Sequence, residues 1–240
     1  MRVAVLSDIH GNLPALEAVL AALAPYDAVW QLGDVVGYGP QPDEVVARLA
    51  RENAVGVRGN HDSAAIGALD TYAFNDDARA AVEWTAQRIE STTRQWLAAL
   101  PLRSVDEPFT LVHGSPRDPT WEYVYSNAIA RANLGAFETR HCFVGHTHVP
   151  LVFRERGSRV EGVRLAADAS YELAHERLII NPGSVGQPRD GDPRASAMIL
   201  DTEARSLEWR RVEYPIERVQ KLMAQQDLPA RLSARLEFGL

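Results

Sequence analysis

The segment Val3-Ala4-Val5-Leu6-Ser7-Asp8-Ile9-His10-Gly11-Asn12 is an apolar, β-branched run that stops at an acid, a histidine and a glycine-asparagine turn. A short apolar run bounded by turn residues predicts a strand covered on both faces. In an extended chain residues i and i+2 point to the same side, so the Asp8 carboxylate and the His10 imidazole are expected to converge. An oxygen ligand beside a nitrogen ligand suits a divalent cation such as zinc, manganese or iron. Taken alone, Asp-x-His reads first as a capping acid and a surface histidine, so its meaning depends on partners elsewhere in the chain.

The same pattern recurs outward from this segment. Asn12 caps a helix with Pro14 in its first turn and Leu13, Leu16, Val19, Leu20 and Leu23 on its apolar face; Pro25 ends it. A strand over 28–32 then stops at Gly33-Asp34. A glycine-punctuated loop and a helix over 41–51 lead to a strand over 55–58, which stops at Gly59-Asn60-His61-Asp62. Strand-helix alternation of this kind builds βαβ units, whose ligands gather at the carboxyl ends of the strands. Residues 63–108 break the rhythm with a helical insertion: Asn75 caps one long helix expected over 76–100, and Pro101 ends it. The aperiodic stretch 70–74 before it admits a lid. Further strands over 109–112 and 142–144 stop at His113-Gly114 and Gly145-His146-Thr147-His148, with a helix after Ser126 between them. From Val149 onward the pattern becomes alternating strands, over 151–154, 159–165, 177–180, 195–201 and 206–213, which predict a mixed or antiparallel sheet. Helices over 215–225 and 228–236 close the chain.

The totals bound the function. The 240 residues are 46% hydrophobic and 24% charged, an ordinary globular composition, and are expected to form a single domain over 1–240. A net charge of −7 excludes broad, non-specific nucleic-acid binding, although it leaves room for a local phosphate pocket. A single cysteine, Cys142, excludes an internal disulfide framework and a thiolate metal cluster. Met1-Arg2 leads directly into the first strand and no apolar run is long enough to span a bilayer, so neither signal peptide nor membrane segment is expected and the cytoplasm is the expected location.

The strand ends collect Asp8, His10, Asp34, Asn60, His113, His146 and His148, all nitrogen or oxygen ligands. Two cations about 3.5–4 Å apart, sharing a carboxylate, need about this many groups and suit phosphoryl chemistry. Asp8-Ile9-His10, Gly33-Asp34, Gly59-Asn60-His61-Asp62, His113-Gly114 and Gly145-His146-Thr147-His148 stand in the order seen in the calcineurin-like metallophosphoesterase superfamily, which the chain resembles over residues 3 to about 150. Asn181-Pro182-Gly183-Ser184-Val185-Gly186 is similar to the closing loop of its small bacterial and archaeal branch, which has phosphodiesterase members.

The resemblance implies a four-layer α/β/β/α sandwich with two mixed sheets and a dinuclear site at one edge. It assigns Asp8, His10 and His148 to one metal, Asn60, His113 and His146 to the other, and Asp34 as the bridge. His61 would face the substrate as a general acid or a hydrogen-bond donor, and a metal-bridging hydroxide would attack phosphorus. Manganese is the first expectation for both divalent metal ions, with iron, zinc, cobalt or nickel as alternatives.

The chain also departs from the pattern of the superfamily's Ser/Thr phosphatases. Where those enzymes carry an acid that orients the catalytic histidine and then a phosphate-binding arginine, Gly37 and Tyr38 stand here. A phosphate clamp is therefore sought at Arg117, Arg189 or Arg194, since guanidinium matches phosphate oxygens bidentately. Tyr38, Trp121, Tyr123 and Tyr125 either stack on a base or leaving group or simply pack. His141 and His175 match no block. The expected activity is hydrolysis of a phosphodiester in a small phosphorylated substrate, such as a nucleotide. The alternatives are a phosphomonoesterase, whether protein phosphatase or dinucleoside polyphosphate hydrolase, and a non-catalytic protein-binding scaffold of the same fold. The scaffold would be expected to have lost ligands or the histidine, and this chain keeps them all.

Overall fold

In the computed structural model, which describes residues 1–173 and 175–240, the opening run forms β1 (Arg2–Leu6), at the centre of the first of two six-stranded sheets. Val5 pairs in parallel with Trp30 of β2 (Ala28–Gln31) and antiparallel with Met198 of a strand near the C-terminus. Beyond β2 lies the short β3 (Val55–Gly56). The chain then crosses to the second sheet, where β4 (Arg103–Asp106), β5 (Phe109–Val112), β6 (His141–Phe143), β7 (Leu151–Arg156) and β8 (Arg159–Val163) lie. It contributes β9 (Ser170–Glu172) to the edge of the first sheet and β10 (Leu178–Asn181) to the second, then completes the first with β11 (Ala195–Asp201) and β12 (Ser206–Val212). The strand orders are β3-β2-β1-β11-β12-β9 and β4-β5-β6-β10-β7-β8.

Alternation along β1 shows how the layers arise. Val3 and Val5 point between the sheets with Trp30, Phe109, Phe143, Ile180 and Met198. Ala4 and Leu6 point outward, under α1 (Leu13–Leu23), α2 (Pro42–Arg51), α4 (Asp76–Arg88), α5 (Ser91–Ala99) and α7 (Ile216–Gln225), with α3 (Asn60–Ala65) starting at the site edge. On the far side α6 (Asn127–Asn133) covers Val112, Phe153 and Ile179. The central strands of both sheets are buried on both faces, so the expected helix/sheet/sheet/helix sandwich forms. No helix among the described residues is long and apolar enough to cross a membrane.

The structure corrects several sequence expectations. The helix expected over 76–100 is two helices, α4 and α5, broken at Ile89 and Glu90, whose ψ angles are 137° and 161°. Apolar spacing runs through the break because Ile89 turns into the core, and the Glu90 amide is held by Asp43 Oδ1 at 3.0 Å. Helical structure in the 63–108 segment ends at Ala99, because β4 joins the second sheet. The strands β4 and β9 lacked a signal because each is an exposed edge strand with charged residues. The last helix shortens to α8 (Ala230–Ala234), followed by a 3-10 turn over Arg235–Glu237.

Phe143 is fully buried between the sheets. Phe143→Ala is expected to lower the free energy of unfolding by about 3–5 kcal/mol in equilibrium urea denaturation. Leu102→Ala, at a 40% exposed residue, is expected to cost less than about 1 kcal/mol.

Candidate metal centre

Every polar group predicted at a strand end lies on one edge of the sandwich. Asp8 and His10 follow β1, Asp34 follows β2, Asn60 opens α3, His113 follows β5, and His146 and His148 follow β6. The convergence of Asp8 and His10 does not come from extended alternation, as the sequence reading assumed. Asp8, His10, Asp34, His146 and His148 all have left-handed backbones, with φ of 52°, 51°, 52°, 65° and 59°. Each such residue costs on the order of 1 kcal/mol or more and persists only where surrounding bonds over-determine it. Here the loops are laced together: the Asp8 amide donates to the Gly33 carbonyl (3.1 Å), His10 to Asp34 (2.9 Å) and Gly11 to Val35 (2.9 Å). The 181–186 loop closes the underside, where Ser184 Oγ and the Gly186 amide both donate to the Asp8 carbonyl, at 2.8 and 2.9 Å.

The hydrogen bonds fix the imidazole tautomers. His10 Nδ1 lies 3.1 Å from the Val36 carbonyl, His148 Nδ1 2.6 Å from that of Gln187, and His113 Nδ1 2.8 Å from that of Leu32. A carbonyl only accepts, so each Nδ1 carries a proton and Nε2 is the nitrogen turned inward, with a free lone pair wherever the ring is neutral. His10 Nε2 and His148 Nε2 then face each other at 3.2 Å with no proton between them. His113 Nε2 faces Asn60 Oδ1 at 3.0 Å, His146 Nδ1 at 3.1 Å and Asp34 Oδ2 at 3.3 Å. Asp8 Oδ1 is 3.3 Å from His148 Nε2, and Asp34 Oδ2 is 3.7 Å from His10 Nε2. The ligand atoms of Asp8, His10, Asp34 and His148 lie within 4.8 Å of one another, as do those of Asp34, His113 and His146. Buried acceptors that face acceptors are tolerable only around a cation, and the all-N/O donor set fits divalent metal ions.

Burial pushes His10, His146 and His148 well below the usual imidazole range, which keeps them neutral, as ligation requires. Asp34 is buried too, but His113, His61 and His10 around it hold its carboxyl well below the usual range. The reciprocal effect opposes burial at His113 and holds it up at about 9, so a cation bound there would displace a proton from Nε2. Burial, with the Asp34 charge adding to it, raises Asp8 to about 7.

His61 lines the same cavity, with Asp34, Tyr38, Asn60, Phe74, Trp121, Tyr123, His146, His148 and Arg189. Its amide donates to Asp34 Oδ1 at 2.9 Å. Asp62 does not face it, since its carboxylate accepts from the Val36 and Gly59 amides at 3.0 and 2.9 Å. The ring is held by packing instead. Tyr38 lies 4.4 Å away between centroids and Phe74 4.9 Å, and a Cβ on Gly37 would stand 2.5 Å from His61 Nδ1. Burial lowers His61 to about 4.

Of the three arginines considered as clamps, only Arg189 lines the cavity, with its guanidinium 5.6 Å from the Tyr38 ring centroid. Arg117 pairs with Glu122 at 3.1 Å and Arg194 with Asp192 at 2.7 Å, both outside the cavity lining. Tyr123 stacks on His146 at 3.9 Å with 9° between ring planes, so it braces that candidate ligand, and Tyr125 is 68% exposed away from the cavity. Sequence reasoning missed Phe74, which had no periodic neighbours, and Gln187, whose backbone orients His148. The only signal for Gln187 is its position directly after the 181–186 loop. A larger cavity of about 500 Å³ lies at the opposite end of the strands, lined by Trp30, Phe109 and Leu173, away from both ligand groups.

A profile described as the calcineurin-like phosphoesterase superfamily domain matches residues 1–205. The uncharacterized protein MJ0912 of Methanocaldococcus jannaschii is 36% identical over 245 residues, covering 99% of this chain and 98% of that protein. Phosphodiesterase YfcE of Escherichia coli is 30% identical over 220 residues, covering 86% of this chain and 91% of the relative. Among solved structures, a metallophosphoesterase from Sphaerobacter thermophilus is 46% identical and superposes with a TM-score of 0.92, covering 100% of this chain and 99% of that one. With this match across the strand-end blocks that converge on the ligand cluster, the chain belongs to the calcineurin-like phosphoesterase superfamily and is a metal-dependent phosphoesterase.

Proposed function

We propose that this protein hydrolyses phosphodiester bonds in a small phosphorylated substrate, with Asp8, His10 and His148 holding one divalent cation, Asn60, His113 and His146 a second, and Asp34 between them. The observation that carries the reading is the set of imidazole nitrogens turned inward around Asp34, with those of His10 and His148 unprotonated and face to face. Two bound cations, manganese the first expectation, would supply positive charge to the phosphoryl oxygens and lower the pKa of an attacking water. The diester preference rests on likeness to a phosphodiesterase and on the absence of the Ser/Thr-phosphatase arginine, whose place Tyr38 takes.

The chain's own groups divide the remaining work. Arg189, the one candidate clamp on the cavity, would bind a non-bridging phosphate oxygen and orient the ester. His61 has two candidate roles, general acid and hydrogen-bond donor. Burial favours the second, because an imidazole pushed down to about 4 is neutral near pH 7, and neighbouring cations would push it further in the same direction. A neutral N–H still donates to a phosphoryl oxygen as charge builds there. Phe74 and Tyr38 hold the ring, and Gly37 leaves it room.

Elemental analysis after manganese loading is expected to find about two equivalents per chain, and Asp34→Ala should drop this to below about one. Full metal content with full diester turnover in that variant would sink the assignment. His61→Ala is expected to lower kcat on a generic diester by about 10²–10³-fold. The wild-type kcat should show no loss on raising pH from about 6 to 8, because a donor that is already neutral has no proton to lose there; a fall centred near the ordinary imidazole value would restore the general-acid role. Gly37→Ala, at φ +88° and against His61, is expected to reduce kcat while leaving metal content unchanged.

A further inference from the structure

The C-terminal helices bring a second arginine, Arg235, into a groove beside the cavity. Trp84 Nε1 of α4 donates to the Gln226 carbonyl at 3.0 Å, and the Gly191 amide donates to the Gly239 carbonyl at 3.0 Å, so the segment is tied down at both ends. Arg235 is half-buried between these ties. Its Nη1 lies 3.5 Å from Gln187 Oε1, the same oxygen that accepts from Arg189 Nη2 at 2.8 Å and Nε at 3.3 Å. Two guanidinium groups therefore converge on one neutral amide.

Among the described residues, neither has a carboxylate within ion-pair distance. The nearby acids are engaged elsewhere: Asp190 pairs with Arg211, Asp192 with Arg194, and Asp77 with Arg231. Asp8 and Asp34 belong to the ligand cluster. Like charges held together without a counter-charge define an anion site. The groove adjoins the metal cavity: Asn75 lines both the cavity of His61 and Arg189 and the groove of Arg231, Arg235 and Phe238. Gln187 links the two, since its carbonyl orients the metal-facing His148 while its side chain accepts from both arginines.

We infer that Arg235 and Arg189 form an anion subsite beside the metal centre, and that the substrate is a phosphoester carrying a second phosphoryl group. This rests on the phosphodiesterase reading for the scissile bond but not for the subsite itself. The scissile phosphate lies over the ligand cluster, and the second phosphate bridges the two guanidinium groups, replacing the amide oxygen they now share. Such a substrate is a nucleotide-like diester phosphorylated at a further position, and a simple aryl diester fills only half of the site.

The test compares two chromogenic esters, thymidine 5′-(p-nitrophenyl phosphate) and its 3′-phosphorylated counterpart, on the manganese-loaded protein. Calorimetry with thymidine 5′-monophosphate and thymidine 3′,5′-bisphosphate runs beside it. The doubly phosphorylated member of each pair is expected to win by about tenfold or more, in kcat/KM and in Kd. Arg235→Ala should erase that ratio and Arg235→Lys should restore part of it, which a folding defect would not do. Equal values for both members in the wild type, or an Arg235→Ala loss that falls alike on both, would overturn the subsite. If neither ester is cleaved but the bisphosphate still binds more tightly through Arg235, the diesterase reading fails and the subsite stands.

Discussion

Neutral imidazoles and carboxylates held with their lone pairs toward one another repel, and this molecule is built around keeping them there. Ligand atoms of Asp8, His10, Asp34 and His148 lie within 4.8 Å of one another, nearly out of contact with water. Three of the imidazoles are gripped from behind: Val36, Leu32 and Gln187 offer carbonyls to the Nδ1 of His10, His113 and His148 and so turn each Nε2 inward. Divalent cations would convert that repulsion into binding, so folding and metal affinity are one coupled problem here.

Two sheets can meet this constraint because their parallel strands end on the same edge. Six loops then approach so closely that some positions admit no side chain. A Cβ on Gly59 would stand 2.1 Å from Asp34 Oδ1, and one on Gly186 1.9 Å from the Ile9 carbonyl oxygen. Asp62, adjacent to His61, spends its carboxylate on the amides of Val36 and Gly59, holding the second and third loops together. The polar groups that surround the ligands are therefore structural as much as chemical, and their cost is recovered only when all of them are paired.

The groups we propose for substrate recognition sit on a different set of elements. The candidate metal ligands come from strand ends, whereas Phe74, Trp121 and Tyr123 come from loops above them, Arg189 from the loop after β10, and Arg235 from the C-terminal turn. The net charge of −7 gives no hint of this cationic corner. Local charge is set by which acids are already paired, and the neighbouring carboxylates are occupied by Arg194, Arg211 and Arg231.

The chain's linear order was enough to determine the layered α/β sandwich and the set of ligand-type side chains. Hydrophobic runs of period two and near four specify what is buried, and turn residues at strand ends specify where polar groups emerge. Short edge strands such as β4 and β9 were illegible because their pairing partners, not their own composition, make them strands. The break at Ile89 was illegible because the apolar spacing continues through it. Only the tertiary structure decided that Asp8 and His10 meet through left-handed turns, that Asp62 serves the backbone, and that Arg189 faces the cavity while Arg117 and Arg194 do not. Each of those outcomes depends on a partner tens of residues away, and composition and spacing carry no record of which carboxylate or carbonyl a side chain will find.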